Sequence, residues 1–282
     1  MQTNKSYIVI IISLVILASG LAYLNFNSTG SEIPIENTDS TSIVSKPFNY
    51  DDYFIAVRDS IKPAIKYRID SLERLIKTDT GNYQAHVLLA RLYDESQLGL
   101  VAAQYVNDIA IRLNDERSWF NSGLKFYDFA ANTVDTGAQI YASKKAIAAF
   151  EKVIAINEHN LEAKNAMAIC YVQNDLDVMA GVQLLKDVIK RDSNNVQANY
   201  TLGMLSRRSG QWDKARIRFE KLAQLDPLNS EAYFYLGEAY SSLNMKKEAI
   251  IAYETCMNLI PSANEDSKKD IKKLIDNLKQ TK

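Results

Sequence analysis

The sequence contains few of the residue types that build catalytic, metal or disulfide sites. Its 282 residues include two histidines, two cysteines and ten glycines. His86 and His159 lack the spacing of a zinc pair, and neither C-x-x-C nor H-E-x-x-H occurs. No two glycines form G-x-G, so the sequence has neither a phosphate-binding glycine loop nor a nucleophile elbow. We therefore predict no catalytic residue, no cofactor, no metal site and no small-molecule substrate, and we do not expect an enzyme.

Charge and composition exclude two further classes of protein. The formal net charge is −1 and no basic stripe with interleaved aromatic residues occurs, so we predict no nucleic-acid partner. Two cysteines are too few for a disulfide framework, and the apolar neighbours of Cys170 and Cys256 indicate small buried side chains. Only five prolines and ten glycines interrupt a chain rich in Ala, Leu, Ile and Lys. This composition predicts an all-α protein.

Residues 7–24 form an apolar segment long enough to cross a membrane. No charged residue lies between Lys5 and Glu32. As a helix, the 18 residues would span about 27 Å, close to the roughly 30 Å hydrocarbon core of a bilayer. A cleaved signal peptide is the alternative, because residues 20–22 resemble a small-residue cleavage site, but its apolar region would be shorter, about 7 to 15 residues. We expect an uncleaved transmembrane anchor.

The charges around this segment predict its orientation. Lys5 precedes it, whereas Lys46 is the first basic residue after it. The positive-inside rule then leaves residues 1–6 in the cytoplasm and exports the rest of the chain, into the periplasm if the host is bacterial. Residues 25–49 are rich in Asn, Ser and Thr, which predicts a flexible linker between the anchor and the folded body.

The rest of the chain repeats a pattern every 34 residues. Gly203 and Gly237 are 34 residues apart, and so are Phe219 and Tyr253. The same spacing separates three further pairs: Leu202 and Leu236, Ala215 and Ala249, and Pro227 and Pro261. A fixed period of this length predicts helix–turn–helix units, each of which buries its apolar face by stacking on the next unit.

These residues resemble the tetratricopeptide repeat. The pattern of that family has an aromatic residue fourth, Leu-Gly seventh and eighth, Tyr eleventh, Ala twentieth, an aromatic residue twenty-fourth and Pro thirty-second. Residues 230–264 match all of these positions, with Tyr233 fourth and Tyr240 eleventh. The resemblance implies a right-handed superhelical solenoid of antiparallel helix pairs, about five to six in residues 50–262, behind a single transmembrane helix.

The match weakens towards the N-terminus and changes at both ends of the array. In the most irregular unit, Gly123 and Ala146 are 23 residues apart where the pattern has 12, so eleven extra residues lengthen the helices or form a loop. Residues 51–80 predict a degenerate helix pair broken at Pro63, and residues 263–282 predict a capping helix. The apolar face of that helix would consist of Ile271, Leu274, Ile275 and Leu278.

The resemblance also implies where a partner would bind. In this family, the first helices of successive units line a concave groove that holds a peptide or a helix of another protein. Aromatic, Met and Arg side chains at such positions are typical of interface hot spots. The alternative is that Tyr200 and Phe234 pack on a neighbouring helix, and that Arg207 and Arg208 form a solvated surface. The nine predicted contact residues are Phe120, Leu124, Tyr127, Tyr200, Met204, Arg207, Arg208, Phe234 and Glu238. The same mapping passes through Gln197, Glu231, Ser241 and Ser242.

Together these patterns predict a membrane-anchored scaffold that binds a protein or peptide partner in its groove. Residues 7–24 would lie in the membrane, and the exported array would assist the assembly of an envelope complex. The alternative is a self-associating structural protein that oligomerises through the repeat array.

Overall fold

The computed structural model describes residues 48–261 and 264–280, and all regular structure within these ranges is α-helical. The predicted anchor at residues 7–24 lies outside the described residues. Within the described part, no helix combines the length and the apolar character needed to cross a membrane. The thirteen described helices are α1 (Tyr50–Arg58), α2 (Pro63–Thr78), α3 (Tyr83–Glu95), α4 (Gly99–Leu113), α5 (Glu116–Asn132), α6 (Thr136–Ile156), α7 (Leu161–Gln173), α8 (Val178–Arg191), α9 (Val196–Arg208), α10 (Trp212–Leu225), α11 (Ser230–Ser242), α12 (Lys246–Leu259) and α13 (Glu265–Gln280).

Helices α3 to α12 form five antiparallel pairs, each of which packs on the next. From α2 to α13, every helix contacts the helix that follows it in the chain. The contacts that skip one element join the first helices of successive pairs, α5 with α7 and α7 with α9. Such nearest-neighbour packing is the structure of a repeat solenoid, so the predicted all-α array is confirmed.

A short polar side chain fixes the start of each first helix. The Asn195 side-chain oxygen accepts the backbone N–H of Ala198 at 3.0 Å, and the Asn229 side-chain oxygen accepts that of Ala232 at 2.9 Å. Each bond satisfies one of the N–H groups that the beginning of a helix leaves without an intrahelical partner. The equivalent residues before α3, α5 and α7 are Asn82, Asp115 and Asn160.

A glycine of each regular C-terminal unit lies against an aromatic ring of the same unit. A Cβ atom at Gly203 would lie 3.0 Å from the Phe219 ring, and one at Gly237 would lie 2.7 Å from the Tyr253 ring. The two helices of each unit cross at this point, and a side chain on the glycine would push the ring away. The two helices of each unit therefore approach closely, with the glycine of the first helix against the aromatic ring of the second.

A tyrosine–glutamate hydrogen bond joins neighbouring units at two places. The Tyr240 hydroxyl donates to Glu220 Oε1 at 2.7 Å, and the Tyr93 hydroxyl donates to Glu73 Oε1 at 2.7 Å. In both pairs the glutamate lies 20 residues before the tyrosine, on the second helix of the preceding unit. The stack therefore has a polar contact that repeats with the helices, in addition to its apolar core.

The eleven extra residues lengthen two helices instead of forming a loop. Helices α5 and α6 contain 17 and 21 residues, whereas α9 and α10 contain 13 and 14. Only residues 133–135 connect them. A Cβ atom at Gly123 would lie 2.5 Å from the Phe150 ring, so the glycine–aromatic contact of the regular units is kept. The additional helical turns lie beyond this contact, so α5 and α6 pair around Gly123 and Phe150 as the helices of the regular units do.

Helix α1 does not pack along α2 in the manner of the paired helices. Its aromatic residues instead reach other units: the Phe54 and Tyr93 ring centroids are 6.2 Å apart, and those of Tyr50 and Tyr141 are 5.8 Å apart. Phe48, within the range predicted as linker, also contacts Tyr141 at 5.1 Å. Tyr141 belongs to the lengthened α6, so the additional turns provide a docking surface for the first described helix.

Helix α13 covers the end of the array. Ile271 and Ile275 are buried and pack with Tyr253 of α12, and Leu278 is partly buried in the same cluster. Leu274, which was predicted on the same apolar face, is 37% exposed and therefore lies at its edge. The lysines and acidic residues of α13 occupy the remaining, exposed faces, as expected of a helix that keeps the end of a solenoid soluble.

Candidate functional site

The first helices α5, α7, α9 and α11 present one surface, which we call the first-helix face. Helix α7 contacts both α5 and α9, and side chains of α9 contact α11. The nine predicted contact residues lie on α5, α9 and α11, and the face also includes α7 residues at the equivalent positions. The face comprises Phe120, Leu124 and Tyr127 on α5, Asn165, Ile169 and Val172 on α7, Tyr200, Met204, Arg207 and Arg208 on α9, and Glu231, Phe234 and Glu238 on α11.

Two polar contacts connect α9 to α11 across this face. The Tyr200 hydroxyl donates to Glu231 Oε1 at 2.9 Å. Arg207 Nε donates to Glu238 Oε2 at 2.6 Å, and both side chains are largely buried. A charge-assisted bond of this kind holds the arginine in one orientation and leaves less of its charge available to a partner. Arg207 and Glu238 therefore help to hold α9 and α11 together, in addition to being predicted contact residues.

The aromatic residues of the face pack around one buried tyrosine. Tyr235 is 7% exposed, and its ring centroid lies 6.4 Å from that of Tyr200 and 5.5 Å from that of Phe234. On the core side it lies 5.2 Å from Phe219. Tyr200 and Phe234 are themselves half-buried. Each ring therefore packs on a neighbouring helix and still exposes part of its surface to solvent. Both the predicted contact with a partner and the alternative, packing on a neighbouring helix, are compatible with this arrangement.

Burial changes the ionisation of the polar groups between α9 and α11. It raises the pKa of Glu231 above its ordinary value, although hydrogen bonds from Tyr200 and Tyr235 act in the opposite direction. Burial, with the nearby Glu231 carboxylate, also raises the pKa of Tyr200, and it raises that of Tyr235 to about 12. Both hydroxyls therefore remain protonated hydrogen-bond donors at neutral pH.

The α5 part of the face is more closely packed. Phe120, Leu124 and Tyr127 are half-buried against the central core, and the Phe120 ring centroid lies 5.9 Å from that of Phe150. Burial raises the pKa of Tyr127 to about 12. These side chains connect the face to the central core of the array.

Helix α7 is enclosed by its neighbours. Residues 163–170 are all buried, which is consistent with contacts to helices on both sides. Asn165 is 7% exposed, and its side-chain nitrogen donates to Asn195 Oδ1 at 2.9 Å. Its side-chain oxygen accepts no hydrogen bond from any residue that the structure describes. A buried carbonyl without a donor is costly, so this oxygen is a local weakness in the packing of α7 and not a surface group.

Arg208 differs from the other predicted residues because it is exposed. Its guanidinium lies 3.4 Å from the carboxylate of Asp175, which is also exposed. An ion pair of this kind contributes little to stability. For Arg208, the alternative of a solvated surface residue is therefore the better description.

The described residues contain neither a metal-binding cluster nor a reactive cysteine thiolate. Among them, no group of three or more His, Cys, Asp or Glu side chains is placed to hold a metal ion. Cys170 and Cys256 are buried, and burial raises the pKa of each thiol to about 12. Neither cysteine is a reactive thiolate at neutral pH.

Comparison with known proteins agrees with this geometry. Residues 200–255 match the tetratricopeptide repeat family. No protein among the curated sequences matches the chain. The described fold is similar to crystal structures of MamA: one is 18% identical and covers 63% of this chain and 91% of its own, with a TM-score of 0.51. A double mutant of MamA RS-1 is 17% identical and covers 65% and 97%, with a TM-score of 0.52. MamA from Desulfovibrio magneticus RS-1, residues 41 to the end, is 17% identical and covers 63% and 94%, with a TM-score of 0.50.

At this identity the MamA structures establish the fold alone, and the family match identifies the repeat. The predicted resemblance is therefore confirmed for residues 200–255, and the predicted absence of enzyme activity agrees with this match. Residues 200–255 carry tetratricopeptide repeats, and the described helix array has a fold similar to that of the MamA structures.

Proposed function

We propose that the protein is a membrane-anchored scaffold whose first-helix face binds a protein or peptide partner and aids the assembly of an envelope complex. The array would form a right-handed superhelical groove, with residues 7–24 as a single-pass anchor. The N-terminus would lie in the cytoplasm and the repeats on the exported side, which is the periplasm in a bacterium.

The observation that carries the proposal is the continuity of the first-helix face. Contacts of α5 with α7 and of α7 with α9 place these helices side by side, and the Tyr200–Glu231 and Arg207–Glu238 bonds extend the row to α11. Because the side chains are fixed by contacts between units, a partner would meet an ordered surface. Less conformational entropy would then be lost on binding.

The side chains of the face suit a protein partner. Tyr200, Phe234 and Met204 are half-buried apolar residues that still reach the surface. Partly exposed aromatic and Met side chains are typical of binding hot spots. A short helix or an extended segment with apolar side chains would fit this surface.

Site-specific photocrosslinking in cells tests this function. We expect a photoreactive residue at position 204 to capture a discrete partner. The matched control carries the same residue at position 217, where Ile217 of the second helix α10 is 52% exposed. Capture from position 217 but not from position 204 would contradict the proposal.

The captured protein is then purified and tested for direct binding, and the Phe234→Ala variant is expected to bind it more weakly. Size-exclusion chromatography with light scattering gives a second check on the same variants. A homo-oligomer that loses its association after substitution at Met204 or Phe234 would support the self-associating alternative instead.

The anchor is tested separately. Intact mass spectrometry of the chain from its native membrane is expected to include residues 1–24, because no cleavage is proposed. Protease added from the exported side is expected to digest the repeats and leave the N-terminus protected. A mature chain that begins near residue 23, or that is released by an alkaline wash, would contradict this part of the proposal.

A further inference from the structure

Glu231 is a half-buried carboxylate that accepts hydrogen bonds from two tyrosine hydroxyl groups. It lies in the first turn of α11, and its Oε1 accepts the Tyr200 hydroxyl at 2.9 Å. The Tyr235 hydroxyl also hydrogen-bonds to it. A carboxylate is an acceptor with about four lone-pair sites, so these two donors leave part of its capacity unused.

The other charges of this part of the face are already matched. Arg207 lies 2.6 Å from Glu238, and Arg208 lies 3.4 Å from Asp175. Glu231 has no Lys, Arg or His within ion-pair distance among residues 48–261 and 264–280. Burial raises the pKa of the Glu231 carboxyl group, which is the effect that a nearby cation would reverse.

Aromatic rings lie next to this carboxylate. Tyr200 and Phe234 are half-buried beside Tyr235. The Tyr235 ring already carries a cation, because the Arg207 guanidinium carbon lies 5.2 Å from its centroid. The faces of aromatic rings attract Lys and Arg side chains through cation–π interactions. A carboxylate attracts the same side chains through its negative charge.

We propose that the partner of the first-helix face presents a lysine or arginine side chain, which pairs with Glu231 and lies against the rings of Tyr200 and Phe234. This inference rests on the proposed function and specifies the chemistry of the partner. An acidic segment fits less well, because it would meet Glu231, whereas Arg207 on the neighbouring helix is engaged with Glu238.

The matched control residue is Glu162. It occupies the same position in α7, the second residue and the first turn of a first helix, but it is exposed. Glu231→Gln keeps an oxygen that can accept the Tyr200 hydroxyl and removes the negative charge, so we expect the fold to be maintained. Thermal melting of Glu231→Gln, Glu162→Gln and the parent chain checks this directly.

The test uses the full chain in detergent micelles and an immobilised array of synthetic decapeptides of random sequence. We expect the peptides bound by the parent chain and by Glu162→Gln to be enriched in Lys or Arg, and the enrichment to be lost with Glu231→Gln. The strongest peptide is then made with glutamine in place of its basic residue. Calorimetry should show binding to the parent chain about tenfold weaker after this change, with little further loss for Glu231→Gln.

Replacing the basic residue of the peptide with glutamine tests the inference on the parent chain, so this measurement remains valid even if Glu231→Gln does not fold. Bound peptides without a basic preference, or a preference that persists in a folded Glu231→Gln chain, would refute the inference while leaving the proposed function intact. If no peptide in the array bound the parent chain, peptide binding by the first-helix face and this inference would both be wrong.

Discussion

Replacing Gly237 with alanine tests the packing rule on which the array depends. The new Cβ atom would lie 2.7 Å from two carbons of the Tyr253 ring, where carbon atoms normally approach to about 3.5 to 4.0 Å. Tyr253 is 3% exposed, and its ring centroid lies 5.9 Å from that of Phe234. The ring therefore cannot move into solvent, and either the ring or the crossing of α11 and α12 must shift.

Two opposing effects decide the magnitude. Alanine is favoured over glycine inside a helix by about 1 kcal/mol. Forcing an extra methyl group into a packed core costs about 1 to 3 kcal/mol, and the short contact at Gly237 points to the upper part of that range. We expect the Gly237→Ala chain to be less stable by about 1 to 2 kcal/mol. Gly203→Ala should be closer to neutral, since its contact with Phe219 is longer, 3.0 Å.

Urea denaturation followed by circular dichroism measures these differences. Gly99→Ala is the control, because the nearest atom to its Cβ, on Phe129, lies 3.4 Å away. We expect that variant to be at least as stable as the parent. If Gly237→Ala proved as stabilising as an alanine on an exposed helix surface, the glycine–aromatic contact would not hold the unit together. Adding Tyr253→Leu should reduce the loss caused by Gly237→Ala.

Three further substitutions test other contacts. Tyr240→Phe removes the donor to Glu220 and should lower the free energy of unfolding by about 1 to 2 kcal/mol, measured with urea. Phe219→Ala empties a fully buried position and should cost about 3 to 5 kcal/mol by the same assay, whereas the half-buried Phe234→Ala should cost clearly less. Burial, with Arg112, lowers the pKa of His86 below 6.5, so the unfolded chain binds the proton first and stability should fall as the pH drops below about 6.5, measured by thermal melts.

Each of these predictions has its own control. Tyr67 is 71% exposed, so Tyr67→Phe should leave stability unchanged within about 0.5 kcal/mol. Equal losses for Phe219→Ala and Phe234→Ala would mean that Phe234 belongs to the core. For His86, the reference is His86→Leu, in which the acid-dependent loss between pH 6.5 and 5 should be smaller. An unchanged pH profile would show that His86 does not control it.

The sequence predicts the array well because its packing residues recur with the period of the helices. Gly203 and Phe219 recur 34 residues later as Gly237 and Tyr253, and the same glycine–aromatic contact is observed in both units. The tyrosine–glutamate bond could have been found in the same way, since Tyr240 and Glu220 repeat the 20-residue separation of Tyr93 and Glu73. The residues that define a repeat are those that touch the same neighbour in every unit.

Features that depend on a single contact between distant units were not predictable. Nothing in the sequence of α1 indicates that Phe54 would meet Tyr93, or that Tyr50 would reach Tyr141 on a lengthened α6. The same is true of Glu231, whose burial depends on Tyr200 in the preceding unit. The sequence placed the predicted contact residues on the first helices α5, α9 and α11, but their degree of burial follows from the spacing of the helices, which a repeat pattern does not specify.

Tyr235 connects the core with the α9 and α11 part of the first-helix face, and this affects how binding experiments must be interpreted. Tyr235 contacts Phe219 on the core side, and Tyr200 and Phe234 on the face. A substitution at Phe219 would therefore disturb the face without touching a partner. Loss of binding identifies a contact residue only when the variant keeps the stability of the parent chain. Glu231→Gln meets this condition better than any substitution of an aromatic residue on the face, because it changes a charge while leaving the packing around Tyr235 in place.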